Sequence, residues 1–316
     1  MGEQKSKEQL SLEKDYEEYV SFSSLEFIFR FLPVFLILYY IVPCKYREIA
    51  FLAGSLIFYA VGEPVFILAL VAATLLNHLF ATLSWKVGEG FELHEWQKRR
   101  RKQFMIRAVV MDVAILTVFK LLGAFVDHSL LPLGISYYIF KMISFQVDLY
   151  RKKMWEKPKL KNVALYFMMF PQAVSGPIMR YHEGEFELFK EWDAEQLEDG
   201  LKYFILGLGM KVLLADKLAI LWNDLQMIGF QSISTPLAWL GAAGYSLRLY
   251  FDFWGYSLMA SGILVMLGYN FIENFNHPYA SKSISEFYRR WHITLGSWFR
   301  DYVYIPIGGS RCGRGR

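Results

Sequence analysis

A succession of apolar runs restricts this chain more than any other feature, because several are as long as a bilayer is thick. Residues 65–85 and 108–126 are each almost free of charge. About 20 apolar residues in a helix cross the roughly 30 Å hydrocarbon core of a membrane. Further runs occupy 25–42, 130–149, 201–221, 236–250 and 253–269, with a short one at 49–61 and a broken one at 163–178. At 316 residues the chain has the length of two soluble domains, yet these runs argue for one membrane bundle. Composition agrees: 54% of residues are hydrophobic and 18% aromatic, well above a soluble globular protein. The aromatic abundance reads as interfacial belt and core.

Charge lies mostly between the runs. The net charge is +4, and the basic residues gather at 45–47, at 86–107 (Lys98-Arg99-Arg100-Arg101-Lys102) and at 151–161. Such loops are expected on the cytoplasmic side of a membrane, and nothing here points to nucleic acid as a partner. Two runs separate each basic loop from the next, so all three fit one orientation. It places the N-terminus outside, with the Gly62-Glu63-Pro64 turn and the acidic stretch 181–199. Residues 1–20 form a charged leader without an early apolar core, unlike a secretory signal. Cys44 and Cys312 give no disulfide framework and no zinc spacing, and no metal site is expected.

Several polar features interrupt the apolar runs. Pro171, Gly176 and Pro177 break one of them, and a broken helix in a membrane must bury or wet its freed backbone groups. Lys141 and Asp148 share one run two helical turns apart, to pair with other helices or sit near its ends. Gly207-Leu208-Gly209 reads as helix packing. Asp252, between Phe251 and Phe253, is an expensive carboxylate in a membrane segment, so it implies function or a partner. Arg248, four residues earlier, offers a structural ion pair. Glu273 and Asn274 lie near the cytoplasmic mouth or in a solvated turn.

From Ser283 a helical period sets in. Ile284, Phe287, Trp291, Leu295, Trp298 and Tyr302 fall on one stripe at roughly 100° per residue. Glu286, Arg289, Arg290, Ser297 and Arg300 take the other side. His292 lies on the boundary between the two sides. An imidazole there meets apolar and polar material together, a setting suited to proton transfer. The plainer reading is a histidine that hydrogen-bonds and orients an amphipathic helix. By the same parity the segment Arg289-Arg290-Trp291-His292 starts from the cytoplasmic face, as a re-entrant or interfacial element.

FDFWGYSLMASGI, followed by ENFNHPYASKSISEFYRRWHITLGSWFRDYVYIPIGG, resembles the signature of the membrane-bound O-acyltransferases. The nearest branch is that of the bacterial alginate O-acetylases; the D-alanyl-transfer membrane protein of teichoic acid modification is more distant. SFSSLEFIFRFLP, LIFYAVGEP, LPLGISYYIFKMISFQVDLYR and FPQAVSGPIMRY fit as well, so the resemblance runs from about Ser21 to the end. It implies an all-α, polytopic transmembrane bundle with re-entrant and amphipathic helices around a central tunnel, over 21–316 and C-terminally incomplete. In that family the position matching His292 holds an Asn or a His lining the active site. A second, invariant histidine lies on a later membrane helix and is generally taken as the proton-transfer residue. The chain stops at Arg316 without it, and His78, His94, His128, His182 and His277 do not match its context. A truncated piece, inactive alone, is therefore expected, or an enzyme whose catalysis is lost or rearranged.

The resemblance implies acyl transfer in the membrane, with His292 catalytic and Asp252, Asn274, Arg289, Arg290, Trp291 and Arg300 as candidate donor- or substrate-binding residues. The guanidiniums suit the phosphates of coenzyme A and lipid head groups equally. The donor would be acetyl-CoA or another acyl thioester, a substrate and not a bound cofactor. The acceptor would be a hydroxyl of an exported polysaccharide, alginate-like or another cell-surface glycan. It would be reached directly or through an extracytoplasmic acetyl-relay partner, such as an SGNH-hydrolase-like transferase. Such a protein is multi-pass in the cell's inner membrane and surrounded by lipid. Two other classes fit the runs: a glycan or lipid transporter or flippase, and a non-catalytic scaffold of an export complex. A transporter should show repeat symmetry, and the sequence has none.

Overall fold

The computed structural model describes residues 21–88, 93–154, 156–183, 193–229 and 231–309. The leader at 1–20, much of the acidic stretch and the tail from 310 lie outside the described residues. Among the described residues there is no strand. A π-turn at Phe27–Phe31 leads into α1 (Leu32–Ile41), followed by α2 (Arg47–Gly62), α3 (Ile67–Val87), α4 (Glu95–Phe125), α5 (Ile135–Tyr150) and α6 (Leu160–Met168). Then come α7 (Ala194–Gly209), a π segment (Met210–Ala215), α8 (Asp216–Ile228), α9 (Thr235–Met266), α10 (Ile284–Arg290) and α11 (Ile293–Phe299). Among the described residues, four helical stretches are long and apolar enough to cross a membrane: Ile67–Val87, Glu95–Phe125, His128–Tyr150 and Thr235–Met266.

Two sequence expectations change, and the expected break in a third run is seen. The basic run 98–102 is not loop but the first turns of α4, which starts at Glu95. His94 caps it, and Gln97 Oε1 accepts from the His94 backbone N–H at 2.8 Å. The runs 236–250 and 253–269 are one 32-residue helix, α9, with Asp252 in its middle. The helix continues because that carboxylate is paired, and half-exposed, so nothing forces a break. The run 163–178 is helical only to Met168. Residues 169–173 and 176–179 are then buried without α-helix, which in a membrane requires protein or trapped water around the backbone.

The chain divides into two compact units. One comprises the described residues of 21–37, 175–177 and 193–276. Its centre is α7 against α9, backbone to backbone. Gly200 and Gly207 are two turns apart on α7, as are Gly255 and Gly262 on α9. A Cβ on Gly262 would lie 2.6 Å from the Gly200 carbonyl oxygen, and one on Gly255 would lie 2.7 Å from that of Gly207. Small residues at such spacing are how membrane helices approach closely. The packing role read for Gly207 is therefore seen, whereas Gly209 has nothing within 4 Å of its Cβ position.

The other unit comprises the described residues of 38–174, 178–183 and 277–309. Buried polar side chains link its helices. Asn77 on α3 donates to Asp112 on α4 at 2.8 Å, and Gln146 on α5 donates to Asn77 Oδ1 at 2.8 Å. The Phe170 backbone N–H donates to Ser55 on α2 at 3.2 Å. Gly134 starts α5 at φ 67°, and any Cβ there would collide with the Ala173 carbonyl. The turn before α5 thus requires glycine twice over, for conformation and for space.

Candidate functional site

The 283–309 arm is not one helix. Ser283 Oγ accepts from the Glu286 backbone N–H at 3.1 Å and starts α10. That helix closes where the Trp291 N–H meets the Phe287 carbonyl at 2.8 Å. His292 then takes φ 45°, ψ 57°, a left-handed corner, and α11 starts on its far side. Such a conformation costs a non-glycine residue about 1–3 kcal/mol and persists only where surrounding structure dictates it. Here Thr294 Oγ1 accepts from the Ile178 N–H at 3.0 Å, and Trp298 Nε1 donates to the Phe140 carbonyl at 3.0 Å. The Trp298 and Phe140 rings lie 4.5 Å apart. Before the corner, Trp291 stacks on Phe287 at 5.5 Å. Aromatic side chains continue on both sides of the corner, partly buried before it and buried at Trp298 after it, so the apolar period runs through a bend it does not reveal. The stripe is only half buried: Trp298 and Tyr302 are inside, but Ile284 is 78% exposed.

The corner carries His292 inward, to 6% exposure. Burial pushes its pKa down from 6.5 to about 4, so the imidazole is neutral at pH 7. A pKa depressed in the folded state means the unfolded chain binds the proton more readily. His292 should therefore contribute stability that is complete above pH 6.5 and lost as pH falls through about 4. Thermal unfolding across that window should show a midpoint decline that is shallower in His292→Gln; equal slopes would contradict the burial of a neutral imidazole.

The surrounding charges are largely engaged. Arg290 pairs with Glu286 at 2.7 Å and Arg300 with Asp301 at 2.8 Å, while Arg289 is exposed. Burial opposes ionisation of Asp301, but Arg300 and Arg180 outweigh it and hold the carboxyl below its usual range. Arg180 reaches Asp301 at 2.5 Å. Arg151 and Arg180 each lie 5.6 Å from the Tyr302 ring centre.

A group that sequence reasoning left unassigned ties this arm to α5. Asp148 is fully buried and accepts from Tyr302 Oη at 2.6 Å. His182 Nδ1 lies 3.0 Å from its Oδ2, and Lys153 Nζ lies 3.1 Å from Oδ1, close enough to pair but not aligned for a hydrogen bond. The available sequence signal was a carboxylate within an apolar run. Asp148→Ala leaves the buried Tyr302 hydroxyl without its acceptor and should lower the unfolding free energy by about 1–3 kcal/mol. Denaturation of the detergent-solubilised protein would check this; wild-type stability would show the cluster to be dispensable.

Two predicted site residues belong to the other unit. Asp252 does not depend on Arg248; its carboxylate meets Lys211 Nζ at 2.8 Å, and Lys211 also pairs with Asp216 at 2.9 Å. Lys211 comes from the π segment, whose wider turn re-aims side chains. Asn274 is not in a solvated turn: it is 3% exposed and donates to Ser257 Oγ at 3.1 Å, while Glu273 is exposed. Among the described residues, no group of His, Cys, Asp and Glu is arranged to hold a metal.

Known proteins resemble this chain along nearly all its length. It is 38% identical over 309 residues to a probable alginate O-acetylase of Pseudomonas aeruginosa, covering 92% of this chain and 58% of that protein. It is 30% identical over 338 residues to a peptidoglycan O-acetyltransferase of Helicobacter pylori, covering 92% and 62%. A teichoic acid D-alanyltransferase of Bacillus subtilis is 33% identical over 184 residues, covering 56% and 46%. The chain thus spans about three fifths of the length of the O-acetylating relatives. The family described as MBOAT, membrane-bound O-acyltransferase, matches residues 51–316. That match covers the arm, its left-handed corner and the helices that brace them: the chain belongs to the membrane-bound O-acyltransferase family.

Proposed function

We propose that this chain carries the His292-bearing part of a membrane acyltransferase site, which moves an acyl group from a thioester to a hydroxyl of a polysaccharide. The observation that supports this most is the His292 corner. A buried, neutral imidazole is held in a strained conformation by bonds from two other elements. A neutral imidazole can take the proton of an attacking hydroxyl, and the apolar surroundings keep water from competing. The donor is acetyl-CoA arriving from the cytoplasm, and Arg289 and Arg300 are the guanidiniums exposed enough to meet its phosphates. The acceptor is an exported glycan, reached directly or through an extracytoplasmic relay partner.

Residues 21–316 form one membrane domain in the inner membrane, with the N-terminus outside and the basic loops inside. Merging two runs into α9 removes one crossing from the sequence count. The nine-residue α6, about 13 Å long, is too short to cross and removes another. With both removed, the 289–292 segment stays at the cytoplasmic face.

The test is reconstitution of the full-length protein in vesicles, with labelled acetyl-CoA on the cytoplasmic face and polysaccharide within. Acetyl ester on the enclosed glycan supports the reading. Glycan movement without donor turnover would replace it with the transporter class.

A further inference from the structure

Lys141 is a buried lysine with no acidic partner among the described residues. It lies on α5, within a membrane-crossing stretch, and is 1% exposed. Its Nζ donates to Gln172 Oε1 at 3.2 Å and sits 5.2 Å from the centre of the Tyr166 ring. Among the described residues no carboxylate is within ion-pair distance of it. An ammonium has three donors, and one is used here. Gln172 is equally buried, and its Nε2 has no partner. Turning the amide does not help, since Nε2 would then face Nζ, donor against donor. Two donor groups, an amine and an amide, therefore lie side by side with acceptor capacity wanting.

An ionisable side chain inside a membrane is a functional-site candidate by default and commonly marks a substrate or ion pathway. The local architecture agrees. Gln172 belongs to the buried, non-α-helical backbone after α6, the kind of segment that lines cavities in membrane proteins. That backbone and α5 both fix α11: Thr294 is bonded to Ile178, and Trp298 to the carbonyl of Phe140, the residue before Lys141. The helix that starts at His292 is thus anchored to both elements that carry the donor pair.

We propose that Lys141 Nζ and Gln172 Nε2 bind an anionic oxygen of the substrate. This rests on the acyl-transfer reading. Two sources offer that chemistry. One is the carboxylate of an acidic sugar acceptor. The other is the oxyanion formed during attack: the hydroxyl oxygen bonds to the thioester carbon, the C=O electron pair moves to the carbonyl oxygen, and the hydroxyl proton passes to an imidazole. Collapse re-forms the carbonyl and expels the thiolate, which takes up that proton. Lys141 keeps its own proton throughout.

Two variants of the full-length protein test this. Lys141→Met removes the charge at similar volume, a change that leaves a buried site as stable or more so. Gln172→Glu supplies a carboxylate beside Lys141 and so fills the site from within. The probes are an oligouronate and a neutral oligosaccharide of equal length, with binding read by calorimetry, and acetyl-CoA turnover. If the acceptor carboxylate is the ligand, both variants bind the oligouronate roughly 30-fold more weakly or worse and the neutral sugar unchanged. If the oxyanion is the ligand, binding holds, kcat falls about 100-fold and KM does not move. A purely structural lysine predicts the reverse for Gln172→Glu: a new internal ion pair, higher thermal stability and intact turnover, which would overturn the proposal. So would folded wild-type protein that neither binds an oligouronate nor turns over donor. Wild type that binds the oligouronate, loses that binding in both variants, and transfers no acyl group would keep the anion site and sink the acyl-transfer reading.

Discussion

With His292 as the proton acceptor, His292→Asn should lower acyl transfer by the full-length protein about 10²- to 10⁴-fold, the usual contribution of a positioned general base. The unfolding temperature should barely move. Asparagine suits this test for a conformational reason: it tolerates left-handed backbone better than most residues, and His292 sits at φ 45°. His292→Ala removes the ring as well but adds strain at the corner, so a loss of activity there would mix chemistry with misfolding. Asparagine also keeps a hydrogen-bond donor. If His292 only holds an oxygen, Asn should retain most of the rate, and Ala should not. If it accepts a proton, both fall together. Turnover of acetyl-CoA on matched amounts of folded protein separates these outcomes, and wild-type rates in both variants would remove His292 from the reaction.

Much of the fold could be read from the chain, for reasons that can be named. α3 is long, apolar and uninterrupted, so length alone predicts a crossing. The break after Met168 was visible in Pro171, Gly176 and Pro177. Partners distant in sequence were not visible. Asp252 was read with Arg248 because four-residue neighbours are all a local reading offers, whereas its cation, Lys211, comes from another helix through a π segment. Asp148 and Tyr302 are 154 residues apart, so the carboxylate was noticed and its role was not. The corner at His292 left no trace either. No proline or glycine marks it, and the aromatic period continues across it, because bonds from Ile178 and Phe140 create the bend. The candidate residues were thus chosen by residue type, and the shape of the segment that carries them could not be read from local geometry.

The second large effect belongs to the α7–α9 contact, where two backbones touch. A Cβ at Gly262 would lie 2.6 Å from the Gly200 carbonyl oxygen and 2.7 Å from the Phe204 nitrogen. Both are main-chain atoms inside a helix, so no side chain can rotate away. Gly262→Leu must therefore push the helices apart along their length. That also opens the Gly207–Gly255 approach two turns away, where an added Cβ on Gly255 has 2.7 Å of room. In a membrane this is severe, because helix association relies on close packing more than on hydrophobic burial. Overpacking alone costs about 1–3 kcal/mol, and the lost packing along both helices adds to it. The expected result is little or no monodisperse protein after solubilisation, and the same for Gly207→Leu. Gly209 is the control on the same helix. It has helical dihedrals of φ −60°, ψ −43° and nothing within 4 Å of its Cβ position. Gly209→Ala should stabilise the helix by about 0.5–1 kcal/mol. If Gly262→Leu instead purified at wild-type yield with an unchanged melting temperature, the close approach of α7 and α9 would be wrong. The contrast between Gly207 and Gly209 also guards against a trivial reading, since a general intolerance of glycine replacement in α7 would strike both positions alike.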